Sequence, residues 1–141
     1  RAMAGIVAEA GGVNKPVYPA SATAASRGIV RPSPALLYTA CAYDVSERPV
    51  KLTSPVPDTY WSLSTFASNT DNFFVVNDRQ VKTDRIEIIL AASESTATEE
   101  GIPVIVAPSS KGIVLFRSLV PSEDLRAEID AKRRQSNCKP L

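Results

Sequence analysis

The chain has 141 residues, with 16 Lys+Arg against 15 Asp+Glu, two cysteines and no histidine. This length fits one domain with a buried core, and a net charge of +1 supplies no general field for nucleic acid or an anionic membrane. The lack of histidine removes every Ser-His-Asp and Cys-His arrangement and every His-containing zinc site, and two cysteines alone cannot form a zinc cage.

In chain order, Ala2 to Ala10 (AMAGIVAEA) reads as a short helix stopped by Gly11-Gly12, since glycine takes the left-handed C-terminal conformation cheaply. It contains Glu9 and falls far short of the roughly 20 apolar residues a membrane span requires. The chain opens on Arg1 and its only methionine is Met3, so a processed or truncated form is expected, and the helix could be the tail of a longer one. Residues 14–34 hold Pro16, Pro19, Pro32 and Pro34 and the stretch ASATAAS. Such proline density favours extended chain. An ordered arm is expected there because Val17, Tyr18, Ile29 and Val30 are worth burying; a disordered linker is the alternative. Residues 1–34 thus read as helix end and arm, and 35–141 as a β domain with a C-terminal helix over 122–135, one structural domain overall.

Alternation predicts strands at Leu36 to Val45, at Val50 and Leu52, at Tyr60 to Ala67, at Phe73 to Val76, at Arg85 to Ala91, at Val104 to Val106 and at Ile113 to Val120. Turn chemistry separates them: Ser46-Glu47-Arg48-Pro49, Ser68 to Asn72, Asn77-Asp78, and an acidic loop SESTATEEG from Ser93 to Gly101. The four residues between the first two strands make a hairpin the simplest pairing. About seven strands without intervening helices predict an antiparallel β-sandwich or a partly closed barrel, mostly β. The helix starts at Pro121-Ser122-Glu123-Asp124, with Ser122 as N-cap, Leu125 and Ile129 as the buried stripe, and Lys132, Arg133 and Arg134 favourably placed in the last turn. Its basic end reads as a solvated face, with an acidic-surface contact as the alternative.

The runs RPSPALLYTACAYDVSERPVKL (31–52), PDTYWSLSTFASNTDNFFVVNDRQV (57–81) and KGIVLFRSLVP (111–121) resemble the bacterial family called "domain of unknown function 1254", most of all its short, single-domain members. The resemblance covers most of the chain from Gly12 onward and rests on a YxxxxYDxS strand and turn, a YW strand and an NTDNFF turn. It implies a β-sandwich-like domain outside the cytoplasm, on the periplasmic side, held by an N-terminal hydrophobic anchor on the inner membrane. Longer members carry an Asn-x-Asp-Thr segment ahead of the tyrosine. Here Pro32 to Tyr38 reads PSPALLY, without that Asp, so no role of those acids carries over. The family name implies no activity.

In a reducing compartment Cys41 would be a small core residue and Cys138 an incidental tail thiol. The exported address that the resemblance implies favours a Cys41–Cys138 disulfide instead. Cys41 has no histidine to activate it as a nucleophile.

Candidate ligand-binding residues are Tyr38 and Tyr60, which alternation points outward if Trp61 is in the core, together with Asn69, Asp71, Asn72, Arg79 and Arg117. Exposed aromatics beside hydrogen-bonding turns suit amphipathic ligands such as carbohydrates; packing in a two-sided core is the competing role. The oxygen-rich turns at Asn69, Asp71, Asn72 and at Asn77, Asp78 could hold calcium, but their spacing is not an EF-hand loop, and Asn and Asp serve turns in their own right. Arg31, Arg79 and Arg117 lie in or beside apolar segments and either pair with carboxylates, cover apolar surface or take an anionic ligand. Asp44, Asp58 and Asp71 lie near strand ends, where glycosidase carboxylates could sit, a pattern of low specificity. There is no Gly-rich phosphate loop, CxxC or HExxH, so no cofactor and no metal is expected. The reading is a non-catalytic envelope module binding a small molecule or an envelope protein, with no nucleic acid. The alternative is a hydrolase or lyase using carboxylates and Tyr on a carbohydrate-like substrate.

Overall fold

A computed structural model of the chain describes residues 2–19, 36–94 and 101–141. Most of the Pro-rich arm, with Arg31, and most of the acidic loop lie outside the described residues. Helix α1 (Ala2–Ala10) is followed by strands β1 (Pro16–Val17), β2 (Leu36–Asp44), β3 (Val50–Pro55), β4 (Trp61–Ala67), β5 (Asn72–Asn77), β6 (Arg85–Ala91), β7 (Val104–Val106) and β8 (Lys111–Leu119). A 3-10 turn (Glu123–Leu125), helix α2 (Arg126–Arg133) and strand β9 (Asn137–Pro140) complete it.

The strands form two sheets, one of five in the order β1-β2-β8-β4-β5 and one of four in the order β7-β6-β3-β9, with no closed barrel. All seven expected strands are present. The expected β2–β3 hairpin is not: β2 pairs with β1 and β8, whereas β3 pairs with β6 and β9. A four-residue connection serves equally as an arch between two layers, and here it carries the chain from one sheet to the other. The β6–β7 pair is parallel, the exception to an otherwise antiparallel ladder.

The main core lies between the sheets. Cys41, Tyr43, Leu52, Trp61, Leu63, Leu90, Val114 and Phe116 are buried there, each on the inner parity of its strand. The outer face of the five-stranded sheet is apolar as well. Tyr38, Ala40, Ala42, Phe66, Ile113 and Leu115 meet Ile6 of α1, with Met3 and Val7 packed around them. The small segment AMAGIVAEA thus forms a helix because a second apolar surface awaits it. Gly11, at φ +83°, ends it as expected, and the N–H groups of Gly11 and Gly12 both donate to the Val7 carbonyl, at 2.9 and 3.0 Å.

Cys41 and Cys138 are joined by a disulfide. Cys41 lies in the five-stranded sheet and Cys138 on the edge strand of the other, opposite Leu52, so the bond crosses the core and fastens one layer to the other. The tail around Cys138, to which the sequence assigned no element, is strand β9.

The C-terminal helix is split. Ser122 is extended and makes no capping bond to the helix backbone, and the 3-10 turn precedes α2. Leu125 therefore falls out of helical spacing with Ile129 and stays exposed, while Ile129 is buried with Leu37 and Val120.

Candidate functional site

The five-stranded sheet aligns residues from four strands into one transverse row on its outer face. Tyr38 pairs with Arg117, Arg117 with Ser62, and Ser62 with Asn77. The next row, Ala40, Leu115, Ser64 and Val75, begins the area under α1. Arg117 is half-buried in the middle of the sheet, and its Nε donates to Ser62 Oγ at 3.2 Å. Among the described residues no carboxylate lies within ion-pair distance of it. Tyr60, one residue before β4, is 42% exposed, and its carbonyl accepts from Leu119 N–H at 2.8 Å. Arg79 is exposed in the turn after β5, held by its N–H donating to Asn77 Oδ1 at 3.0 Å.

The outward exposure expected of Tyr38 is corrected: its residue exposure is 2%. Alternation set it on the face opposite Trp61, but there the ring packs in the second apolar cluster, with Ile6, Val17 and Leu36, so it is core.

The seven candidate residues divide between two ends of the sheet. Tyr38, Tyr60, Arg79 and Arg117 lie toward the Trp61 end of β4. Asn69, Asp71 and Asn72 lie at its Ala67 end, roughly 20 Å away along a strand of this length. Their polar atoms are engaged in the turn itself. Asn69 Oδ1 accepts from Asp71 N–H and Asn69 Nδ2 donates to Asp71 Oδ2, both at 3.1 Å. Asn72 Nδ2 donates to the carbonyls of Thr65 and Phe74. In the other oxygen-rich turn, Asp78 Oδ1 accepts from Trp61 N–H at 3.2 Å. Among the described residues there is no group of three or more acidic or cysteine side chains able to hold a metal ion.

The three candidate carboxylates are likewise dispersed. Asp44 ends β2; hydrogen bonds from the hydroxyl and N–H of Ser46 hold its carboxyl below the ordinary range. Asp71 is in the β4–β5 turn. Asp58 lines a cavity of about 330 Å³ with Asp78, Asp84, Lys82 and Thr83.

Sequence reasoning missed Arg133. The basic end of the helix reads as solvated, yet Arg133 is 3% exposed. Its Nη1 donates to the carbonyls of Pro19 (2.5 Å) and Tyr38 (2.8 Å), and its Nε and Nη2 donate to Asp130 Oδ1, the former at 2.8 Å. Thr39 Oγ1 donates to the Arg133 carbonyl at 3.3 Å. One guanidinium therefore joins the N-terminal arm, β2 and α2. Tyr18 adds to this knot, its hydroxyl donating to Ser136 O at 2.6 Å and its ring lying 6.0 Å below the Arg134 guanidinium. The legible signal was spacing: Arg133 is four residues after buried Ile129 and three after Asp130, on the inward stripe. The groove beside it, about 410 Å³, is lined by Leu37, Glu123, Arg126, Ala127, Asp130 and Arg134 besides Arg133. Arg126 and Arg134 are spoken for there by Glu123 and Asp130.

The disulfide suggests an extracytoplasmic setting, and among the described residues no helix is long and apolar enough to cross a membrane. The fold resembles that of the VPA0106 protein from Vibrio parahaemolyticus, with a TM-score of 0.74 at 16% identity; the alignment covers 99% of this chain and 34% of that one. It also resembles an uncharacterized protein from Burkholderia cenocepacia, with a TM-score of 0.60 at 15% identity, over 99% of this chain and 38% of that one. The chain thus spans little more than a third of either relative. No curated protein matches it. The family described as "Protein of unknown function (DUF1254)" matches residues 13–140, nearly the whole β fold, and the chain belongs to that family.

Proposed function

We propose that this chain is a non-catalytic binding module of the bacterial envelope, displayed on the periplasmic side of the inner membrane by an N-terminal anchor. Its contact surface is the outer face of the five-stranded sheet at the Trp61 end, with Arg117 at the centre and Tyr60 and Arg79 at the rim. The observation that carries the reading is the Arg117 guanidinium, half-buried in a sheet with a serine as its partner. A buried or half-buried arginine is held by carboxylates in most settings; here the neighbouring positions offer hydroxyls and an exposed aromatic ring. Such a surface recognises a carboxylate- or sulfate-bearing ligand, or an acidic protein segment, with the Tyr60 ring as a stacking platform.

The test is thermal unfolding and calorimetric titration with uronates, sulfated sugars and simple dicarboxylates as probes. A ligand of this class raises the midpoint of the wild type, and the rise disappears in Arg117→Gln while the unliganded midpoint changes little. Equal responses of wild type and Arg117→Gln would remove this surface from consideration. Protease accessibility of the full-length protein in intact spheroplasts tests the address.

A second reading, a carboxylate-dependent hydrolase or lyase, draws on the cavity where Asp58, Asp78 and Asp84 meet Lys82. Turnover of a carbohydrate substrate that is abolished by Asp84→Asn would favour it over the binding module.

A further inference from the structure

The turn between β4 and β5 departs from what its geometry asks of a sequence. Thr70 N–H donates to the Ala67 carbonyl at 2.8 Å and Ala67 N–H to the Asp71 carbonyl at 2.9 Å, closing a three-residue loop of Ser68, Asn69 and Thr70. The last residue of such a loop takes the left-handed region and is ordinarily glycine. Here it is a threonine at φ +69°. Among the described residues Asn14 is the one other non-glycine in that region, and asparagine tolerates it. A β-branched side chain does not, and it costs free energy that glycine would avoid. The Thr70 hydroxyl donates only to the adjacent Asn69 carbonyl, at 2.5 Å. The residue is exposed, so no burial in the core offsets the strain.

Beside the turn lies a cavity of about 260 Å³. Ala2 and Met3 of α1 and Ile113 of β8 form one wall, and Ser68, Asn69 and Thr70 form the other. Unlike the cavities at Asp58 and at Arg133, it has no charged side chain among its described lining residues. The polar wall has hydrogen-bonding capacity to spare. Ser68 Oγ makes no hydrogen bond among the described residues. Asn69 uses one amide hydrogen and one oxygen lone pair on Asp71 and keeps the other of each. Thr70 Oγ1 donates but accepts nothing.

We propose that this cavity binds one ring of a neutral saccharide. A pyranose has a face of C–H groups and a rim of hydroxyls that both give and take hydrogen bonds. The face matches Met3 and Ile113, and the rim matches Ser68, Asn69 and Thr70. An anion would find no cation in the wall, and a cation no carboxylate. The volume lies just below the range of about 300–1,000 Å³ usual for drug-sized ligands, which limits the occupant to a single ring. Glycine would suit the turn better and would leave the wall bare at position 70; the threonine is kept for what it touches in the cavity. The site is separate from the Arg117 surface, at the opposite end of β4.

Ligand-observed NMR and calorimetric titration of the oxidised chain test this, with glucose, galactose, N-acetylglucosamine and their methyl glycosides as probes. The wild type binds at least one of them with millimolar affinity, and Arg117→Gln binds it equally. Thr70→Gly raises the midpoint of thermal unfolding by a few degrees and weakens binding about tenfold or more. Ser68→Ala, which leaves the backbone bonds of the turn intact, weakens binding without moving the midpoint. No binding by any of these sugars, binding that survives either turn variant, binding lost in Arg117→Gln, or a midpoint that Thr70→Gly fails to raise would each overturn the proposal.

Discussion

Tyr43 and Gly112 face each other across the β2–β8 pair, and the tyrosine ring fills the space that a side chain at 112 would need. A Cβ on Gly112 would overlap the Phe66 carbonyl and lie 2.5 Å from the Tyr43 hydroxyl and 2.6 Å from its Cε2. The ring is itself fixed edge-on by Phe73, at 6.4 Å. The glycine is therefore required by close approach across the ladder, its backbone being ordinary strand.

Gly112→Ala is expected to cost roughly 2–3 kcal/mol, because neither the Phe66 backbone nor the packed ring can withdraw. Chemical denaturation measures this. Among the described residues no group meets hydrogen-bond geometry to the buried Tyr43 hydroxyl; nearby Ser109 donates to the Lys111 carbonyl and accepts from Ser68 N–H. Tyr43→Phe accordingly leaves stability unchanged or raises it by up to about 1 kcal/mol. A loss larger than that would mean the hydroxyl has a partner.

Asp130 governs the acid limb of stability. Partial burial raises its pKa, but the hydrogen bonds and charges of Arg133 and Arg134 outweigh this and hold it below the ordinary carboxylate value. A carboxyl with a depressed folded pKa binds fewer protons in the folded state than in the unfolded state. Its contribution is whole above the unfolded value and drains away as pH falls through the folded one. Asp130→Asn should lower stability at neutral pH by about 2 kcal/mol, since it leaves the Arg133 charge buried without its counter-ion. It should also flatten the fall in stability below about pH 4. A pH series of denaturation curves in which both proteins keep the same acid slope would refute this.

Asn14 acts as a piece of strand. Its side chain brackets the end of β2: Nδ2 donates to Asp44 O at 3.1 Å and Oδ1 accepts from Asp44 N–H at 2.9 Å. Its backbone, at φ +57°, suits asparagine. Asn14→Ala loses both bonds and strains the backbone, an expected loss of about 1–2 kcal/mol. Asn14→Gly relieves only the strain and falls between the two in melting temperature.

The disulfide closes a span of 97 residues, which chain entropy values at about 4–5 kcal/mol as an upper figure. The double variant Cys41→Ala, Cys138→Ala should unfold at clearly lower denaturant. Labelling of the oxidised protein should find no reactive thiol before reduction.

Much of the fold is legible in the strands that alternate, because β2, β4, β6 and β8 must each bury a defined face. The pairing was less legible. The arch from Asp44 to Val50 has the length of a hairpin, and nothing local says that its two ends belong to different layers. Strands β1 and β9 are two and four residues long, each with a proline; they are strands through their neighbours, Cys41 and Leu52, and carry no pattern of their own. At the candidate site, alternation assigned Tyr38 to the correct face and failed on its exposure, because the ring is packed into an apolar cluster with Ile6 and Val17. Arg133 was hidden by its basic neighbours, although its spacing from Ile129 marked it as inward. Arg117 kept the ambiguity it has in the sequence until the register set Tyr38 on one side of it and Ser62 on the other.

The position of β8 in the chain has a consequence for how this protein is made. The strand that lies between β2 and β4 comes eighth, at Lys111–Leu119, and β3 awaits β9, the last strand of all. As the polypeptide leaves the ribosome, β2 and β4 lack the strand between them until β8 has emerged, and β3 lacks one of its two neighbours until β9 has. Pairing of this kind is slow, because distant segments must meet before any of them is rewarded. Until then strands such as NFFVVN stay unshielded, the condition in which unpaired apolar segments are prone to aggregate.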